Sequence, residues 1–262
     1  MTKDVLLETK IGSLPVVVFR TNEEVGVAAA LEAARIIKTS IEEKGSANII
    51  IATGNSQLTF LQALRELDAI DWPRVRIFHM DEYIDLPEDH PASFPTFLRR
   101  QLLDHIPEPS AFYPVVARAG KIEADCAEYA KLLRSYPADL CAMGIGENGH
   151  IAFNDPPFAE FDDPVWVKVV RLDEMSRKQQ VGEGHFGGLA EVPTHAITLT
   201  IPALLAAERV LCIVPEARKA DAVYQTLTGP ITESCPASIL RQSPHAQLFL
   251  DADAAAKAYP SL

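Results

Sequence analysis

The chain has 262 residues, 48% of them hydrophobic, and a formal net charge of −12 at pH 7. That length and composition suffice to bury a full core, and one large α/β domain over residues 1–262 is the natural fit. With no basic run to offset the acidic balance, nucleic acid and membrane surfaces are poor partners, and any anionic substrate must be met by local groups. Cys126, Cys141, Cys212 and Cys235 form no Cys-x-x-Cys pair. Cys141 and Cys212 sit inside apolar runs and read as reduced core residues, which predicts a cytoplasmic protein without structural zinc. Acidic residues interrupt the stretch that opens the chain, against a signal peptide, and no apolar run approaches a membrane span.

Short β-branched runs alternate with helical patterns. Pro15–Phe19 predicts a strand, and Asn22–Lys44 a long helix capped by Thr21 or Asn22 and ended by Gly45. Asn48–Ala52 reads as a buried strand, Ser56–Leu67 as a helix, Val75–Met80 as a strand and Ser93–Leu103 as a helix. Lys121–Ser135 is helical in pattern, and Ala138–Met143, Trp166–Leu172 and Ala196–Thr200 are strands. Arg209–Val214 predicts another strand, Glu216–Leu227 a helix and Gln247–Leu250 a last short strand. Such alternation implies a doubly wound, mostly parallel, Rossmann-like sheet with helices on both faces. The proline-rich stretches 85–92 and 154–165 suit ordered surface loops or a lid, and 154–190 is the segment that would close.

In an open parallel sheet, ligands bind outside the carboxyl ends of the strands. Four corners meet that condition. Thr53-Gly54-Asn55-Ser56 follows the Asn48–Ala52 strand and has the composition of an anion cradle, although a plain N-cap by Ser56 or Thr53 uses the same residues. It is neither a Walker loop nor a dinucleotide fingerprint. Asp81-Glu82-Tyr83 follows Val75–Met80; a carboxylate just past an apolar strand suits a general base, and a turn or cap is the plainer role. His79, one step back, reads as structural. Leu140–Met143 opens into a loop with Gly144, Gly146 and Gly149 that ends on His150, where Glu147, Asn148 or Asp155 is placed to orient the imidazole. Lys219, past Arg209–Val214, offers positive charge for a phosphate, and Arg218 competes for that role. The remaining histidines show no metal-ligand spacing, and no Gly-x-Ser-x-Gly elbow is present.

These residues also carry a family resemblance. Met80-Asp81-Glu82-Tyr83, followed by Leu86-Pro87 and His90-Pro91, resembles the glucosamine-6-phosphate deaminase (isomerase) family. So do Gly144-Ile145-Gly146-Glu147-Asn148-Gly149-His150-Ile151-Ala152-Phe153-Asn154 and the shorter matches Ala52-Thr53-Gly54, Asp71-Trp72, Asp104-His105 and Pro193–Thr198. The likeness runs from about Ala47 to Leu240. Related 6-phosphogluconolactonases share the Gly-His loop but continue differently after it; Ile151-Ala152-Phe153-Asn154 is the deaminase version.

The resemblance implies that glucosamine 6-phosphate plus water gives fructose 6-phosphate plus ammonia, with neither metal nor organic cofactor. Asp81 would move a proton between C2 and C1, and His150 would assist ring opening, with Asp155 standing where the family has a histidine-pairing glutamate and Asn148 beside them. Thr53, Gly54, Asn55, Ser56 and Lys219 would hold phosphate, and Glu82, Gly146 and Ala152 the sugar. The partner is thus a phosphorylated amino sugar, with assembly of identical chains left open. Two alternatives are a sugar-lactone hydrolase and a non-catalytic sugar-phosphate sensor. Asn55 and Gln57 depart from the family's phosphate loop. Gln180 falls where the family carries a phosphate-binding arginine, and Arg177 and Lys178 are the residues near enough to replace it. The basic residues that bind an allosteric activator in hexameric relatives are not evident around Pro164–Lys168, which predicts no activation by N-acetylglucosamine 6-phosphate.

Overall fold

A computed structural model of the chain describes residues 5–87, 89–118, 120–156 and 158–262. The first four residues of the segment read as no signal peptide lie outside the described residues, as do Glu88 and Pro157 of the two proline-rich stretches. In chain order the elements are β1 (Val5–Ile11), β2 (Leu14–Phe19), α1 (Asn22–Lys44), β3 (Ala47–Ile51), α2 (Leu58–Arg65), β4 (Val75–His79), β5 (Asp81–Tyr83), α3 (Phe94–Gln101), β6 (Ala111–Tyr113), α4 (Ile122–Ser135), β7 (Leu140–Met143), β8 (Val167–Arg171), α5 (Glu174–Gly182), β9 (His195–Leu199), α6 (Ile201–Leu205), β10 (Arg209–Val214), α7 (Ala220–Thr228), β11 (Ala246–Asp251) and α8 (Ala252–Ala255).

The main sheet has eight strands in the order β1-β2-β11-β10-β7-β3-β4-β6. All neighbours pair in parallel except β1, which runs antiparallel to β2. This is the expected mostly parallel α/β sheet. The period-two alternation of each strand divides its side chains between two cores. Val17, Ile49, Ile51, Ile77, Leu211 and Ile213 face α1, α2 and α3. Val16, Val18, Ile50, Phe78, Cys141, Cys212 and Leu248 face α4, α6, α7 and α8. Helix α1 starts at a full capping box, in which Thr21 Oγ1 accepts from the Glu24 N–H and Glu24 Oε2 accepts from the Thr21 N–H. It ends at Gly45, whose φ of 82° is the left-handed C-cap glycine favours.

Two expected strands do not join the main sheet. β8 and β9 pair antiparallel with each other, and β9 pairs antiparallel with β5, in a separate three-stranded sheet of order β5-β9-β8. Asp81 therefore does not stand in a strand-to-helix loop: it opens β5, opposite Thr198, with only Met80 between it and the end of β4. The helices after β3 and β10 begin later than expected, because single 3₁₀ turns at Asn55–Gln57 and Ala217–Lys219 precede them. Among the described residues no helix is long and apolar enough to cross a membrane.

Candidate active site

The carboxyl ends of β3, β4, β7 and β10 open onto one cavity, with α5 laid across it. It holds about 590 Å³ of empty space, part of it open to solvent. Thr53, Gly54, Ser56, Asp81, Gly146, His150, Ala152 and Lys219 all line it. Asn55, Glu82, Asn148 and Asp155 do not.

Asp81 is held by its strand pairing with Thr198, so its position is set by the small sheet. Its carboxyl receives no hydrogen bond among the described residues. Burial, with a smaller push from Glu82, raises it to about 8. A carboxylate so raised is a strong base once ionised. Glu82, expected on the substrate, instead turns to the start of α3. Its Oε1 accepts from the Tyr83 N–H at 2.7 Å and its Oε2 from the Phe94 N–H at 3.1 Å. The alternation of a strand forces this: with Asp81 on the cavity side, Glu82 faces away.

His150 lies against the glycine loop. A Cβ on Gly146 would fall 2.1 Å from His150 Cε1, so only glycine lets the ring lie flat there. Three groups surround Nδ1: Asn148 Oδ1 at 2.7 Å, Asp155 Oδ1 at 2.9 Å and Ser176 Oγ at 3.0 Å. Nε2 has no partner among the described residues. Asp155 is fully buried. Burial raises its carboxyl, but the pull of His150 and hydrogen bonds from His150, Ser176 and Asn148 outweigh that and hold it at about 2. Asn148 and Asp155, grouped with the catalytic residues from sequence, thus stand behind the imidazole rather than on the cavity wall. Ala152, just past the loop, has a φ of 48°, a strained value for alanine of the kind that collects at functional sites.

Lys219 is among the largest fully buried side chains, only 2% exposed. Its Nζ makes no hydrogen bond or ion pair among the described residues. Burial, the largest cause, draws its pKa down to about 8. It is the one lysine or arginine among the described residues that line the cavity. Asn55 is turned from the cavity and donates to the Glu183 carbonyl at 3.1 Å. Neither basic candidate near Gln180 reaches in. Arg177 Nη2 donates to the Leu189 and Val192 carbonyls at 2.6 and 2.8 Å, and Lys178 pairs with Glu174 at 2.6 Å on the exposed face of α5. Gln180 itself lines the cavity.

His79 is structural, as read from sequence: fully buried, it accepts from the Val115 N–H at Nε2, 2.7 Å away, and burial depresses its pKa to about 3. Among the described residues no three His, Cys, Asp or Glu side chains are grouped to hold a metal. Sequence reasoning missed Ser176, Gln179 and Glu183, which α5 and its end bring to the site. The polar stretch 174–186 carried no helical apolar stripe, and the one start signal for α5 was its N-cap, Asp173, followed by Glu174. The apolar walls Ile145, Phe94 and Phe153 were equally hidden among core residues.

Residues 20–250 match the model of the glucosamine-6-phosphate isomerases/6-phosphogluconolactonase family. The chain belongs to this family. Relatives named glucosamine-6-phosphate deaminase, from Bacillus cereus (strain B4264) and Bacillus thuringiensis (strain Al Hakam), are 34% identical over 239 residues, which is 91% of this chain and 87% of each relative. A solved monomeric glucosamine-6-phosphate deaminase superposes with a TM-score of 0.85 at 31% identity, covering 92% of this chain and 99% of that one. The 6-phosphogluconolactonase of Trypanosoma brucei superposes at 0.73 with 21% identity, over 95% of this chain and 98% of that one, and shares the fold.

Proposed function

We propose that the chain converts glucosamine 6-phosphate and water to fructose 6-phosphate and ammonia, acting as a single domain over residues 1–262 in the cytoplasm. The observation that carries this is one cavity holding a carboxyl with no hydrogen-bond partner among the described residues, Asp81, and an oriented imidazole, His150, together with a buried ammonium, Lys219. The deaminase relatives, at 34% identity over most of both chains, support the same chemistry. Free cysteines buried in the core at Cys126, Cys141 and Cys212 support a reducing compartment.

His150 relays the proton between O1 and the ring oxygen as the hemiacetal opens, with Asp155 and Asn148 fixing the ring of the histidine. Asp81 takes the C2 proton and returns it to C1. The resulting carbon–nitrogen double bond at C2 adds water and releases ammonia, leaving the ketone. The substrate's own ammonium, brought beside Asp81, lowers the pKa of that carboxyl and readies it as the base. Thr53, Gly54, Ser56 and Lys219 hold the phosphate, while Gly146 and Ala152 bound the sugar. Every residue in this scheme comes from one chain, so no second copy is required.

The test is ammonia release over a panel of hexosamine phosphates, with the ketose product identified, and hydrolysis of 6-phosphogluconolactone run in parallel. Turnover of glucosamine 6-phosphate is expected. Lactone hydrolysis alone would replace this reading with the lactonase one. No turnover, together with thermal stabilisation by the sugar phosphates, would make the chain a sensor.

A further inference from the structure

The phosphate end of the cavity holds more charge than its one lysine. Glu183, just past α5, lines the cavity with its side chain only 4% exposed. A Cβ on Gly54 would lie 3.8 Å from Glu183 Oε2, which places this carboxylate beside the Thr53–Ser56 corner. Glu183 Oε1 accepts from Arg218 Nη1 and from Gln179 Nε2, each at 2.7 Å, and Oε2 pairs with His185 Nε2 at 3.4 Å. Arg218 is held at its other edge by Glu216, whose Oε2 lies 2.5 Å from Nε; Glu147 Oε1 is 3.5 Å from Nη1. An anion therefore already sits between the glycine corner and the Arg218–Lys219 pair.

We propose that Arg218 is a second phosphate-binding cation of this site, masked by Glu183 until the phosphate of the substrate displaces that carboxylate. The inference rests on the phosphate assignment made above and adds to it the specificity device. Charge balance is the first reason. With Glu183 in place, three carboxylates, Glu183, Glu216 and Glu147, stand against Arg218 and Lys219, so a phosphate dianion entering so dry a corner would meet excess negative charge. With Glu183 withdrawn, Lys219 and Arg218 are balanced by Glu216 and Glu147, and that excess negative charge is gone. Geometry is the second. The Nη1 that Glu183 occupies is left with the looser 3.5 Å contact to Glu147 while Glu216 still grips Nε, so the guanidinium keeps its orientation and presents a fork suited to phosphate oxygens. Freedom to move is the third. Glu183 is flanked by Gly182 and Gly184, which carry no side chain to hinder it, so the carboxylate swings by giving up its bonds to Arg218, Gln179 and His185 while its backbone stays tied to Gln179 and Asn55. A neutral sugar has no charge with which to displace Glu183, so the device selects for phosphorylated substrate.

The experiment measures inorganic phosphate affinity by titration calorimetry, and KM for glucosamine 6-phosphate, in the full chain and in Glu183→Gln, Arg218→Gln, the double variant and Lys219→Ala. Melting temperatures without phosphate check that each variant folds, and Arg218→Lys serves if Arg218→Gln does not. Glu183→Gln is expected to tighten phosphate roughly tenfold, and Arg218→Gln to weaken it by a similar factor, the usual scale for one charged hydrogen bond. Arg218→Lys keeps the charge without the fork and should fall between. In the double variant the gain from Glu183→Gln should vanish. A gain that survives in the double variant, or phosphate affinity that Arg218→Gln and Arg218→Lys leave intact while Lys219→Ala weakens it, overturns this proposal alone. Unchanged affinity in Lys219→Ala overturns the phosphate assignment and this proposal with it.

Discussion

Asp155 Oδ1 stands 2.9 Å from His150 Nδ1, and Ser176 Oγ bridges the two, 2.5 Å from the carboxylate and 3.0 Å from the ring nitrogen. An ionised, fully buried acceptor there fixes the proton of the imidazole on Nδ1 and leaves Nε2 to receive one. A glutamate's extra methylene is not needed for this contact, because the short Asn154–Asp155 segment is itself drawn in: Asn154 Nδ2 donates to the Ile151 and Leu199 carbonyls at 2.9 and 2.8 Å.

Replacing Asp155 by Asn removes that fixed acceptor without changing size. The kcat for ammonia release should fall roughly 10²- to 10⁴-fold, the range for loss of an oriented proton shuttle, with KM little changed. Ser176→Ala, which leaves the carboxylate in place, should cost far less. Steady-state kinetics on both variants check this; equal losses would mean that the hydroxyl, not the carboxylate, sets the ring.

Asp81→Asn should abolish solvent-proton exchange at C2, read by NMR in deuterated water, while substrate still binds. It should also stabilise the fold in a pH-dependent way. Between the ordinary value of 3.8 and about 8, the native Asp81 keeps a proton that the unfolded chain has released. Stability therefore falls as pH rises through that interval and levels off above about 8. Glu82, raised by its burial to about 7, adds a similar slope that both proteins share. The variant should melt above the parent at pH 8 and the gap should close toward pH 4, as thermal scans would show. A gap independent of pH would mean that Asp81 is ionised in the fold.

The two groups that titrate near 8 act in opposite senses on kcat/KM. Ionisation of Asp81 supplies the base as pH rises, whereas Lys219 loses the charge that holds phosphate as pH rises past about 8. A narrow bell centred near that pH is expected in the free-enzyme profile. Lys219→Ala should raise KM and flatten the alkaline limb only. An alkaline limb that persists unchanged in that variant would exclude Lys219 as its source.

The rate curve should be hyperbolic and indifferent to N-acetylglucosamine 6-phosphate. Lys168, a basic residue in the stretch where an activator would bind, is already tied to Asp163 at 2.6 Å and to the Phe158 carbonyl at 3.1 Å. A sigmoidal curve made hyperbolic by that sugar would refute this.

Much of the fold was legible because buried parallel strands announce themselves as apolar runs: β3, β4, β7, β10 and β11 lie within a residue or two of their expected bounds. What stayed hidden lacks that signature. β1 (Val5–Ile11) has no fully buried residue, and β6 is three half-buried residues, so neither rises above the background of its neighbours. The glycine loop, Asp81 and Lys219 were visible as unusual chemistry at strand ends. Glu82 misled because β5 was not foreseen, and with it the alternation that turns every second side chain from the cavity. Ser176 and Glu183 depend on where α5 packs, a tertiary fact that its Asp173 cap does not announce.

Asp81 rides on the small antiparallel sheet, whereas Lys219 follows β10 near the middle of the large one. The separation between proton acceptor and phosphate anchor is thus a gauge whose two ends belong to different slabs of the molecule. Sugars a carbon shorter or longer would mis-seat one end, and substitutions in the seam between the slabs, far from either end, would recalibrate which chain length fits.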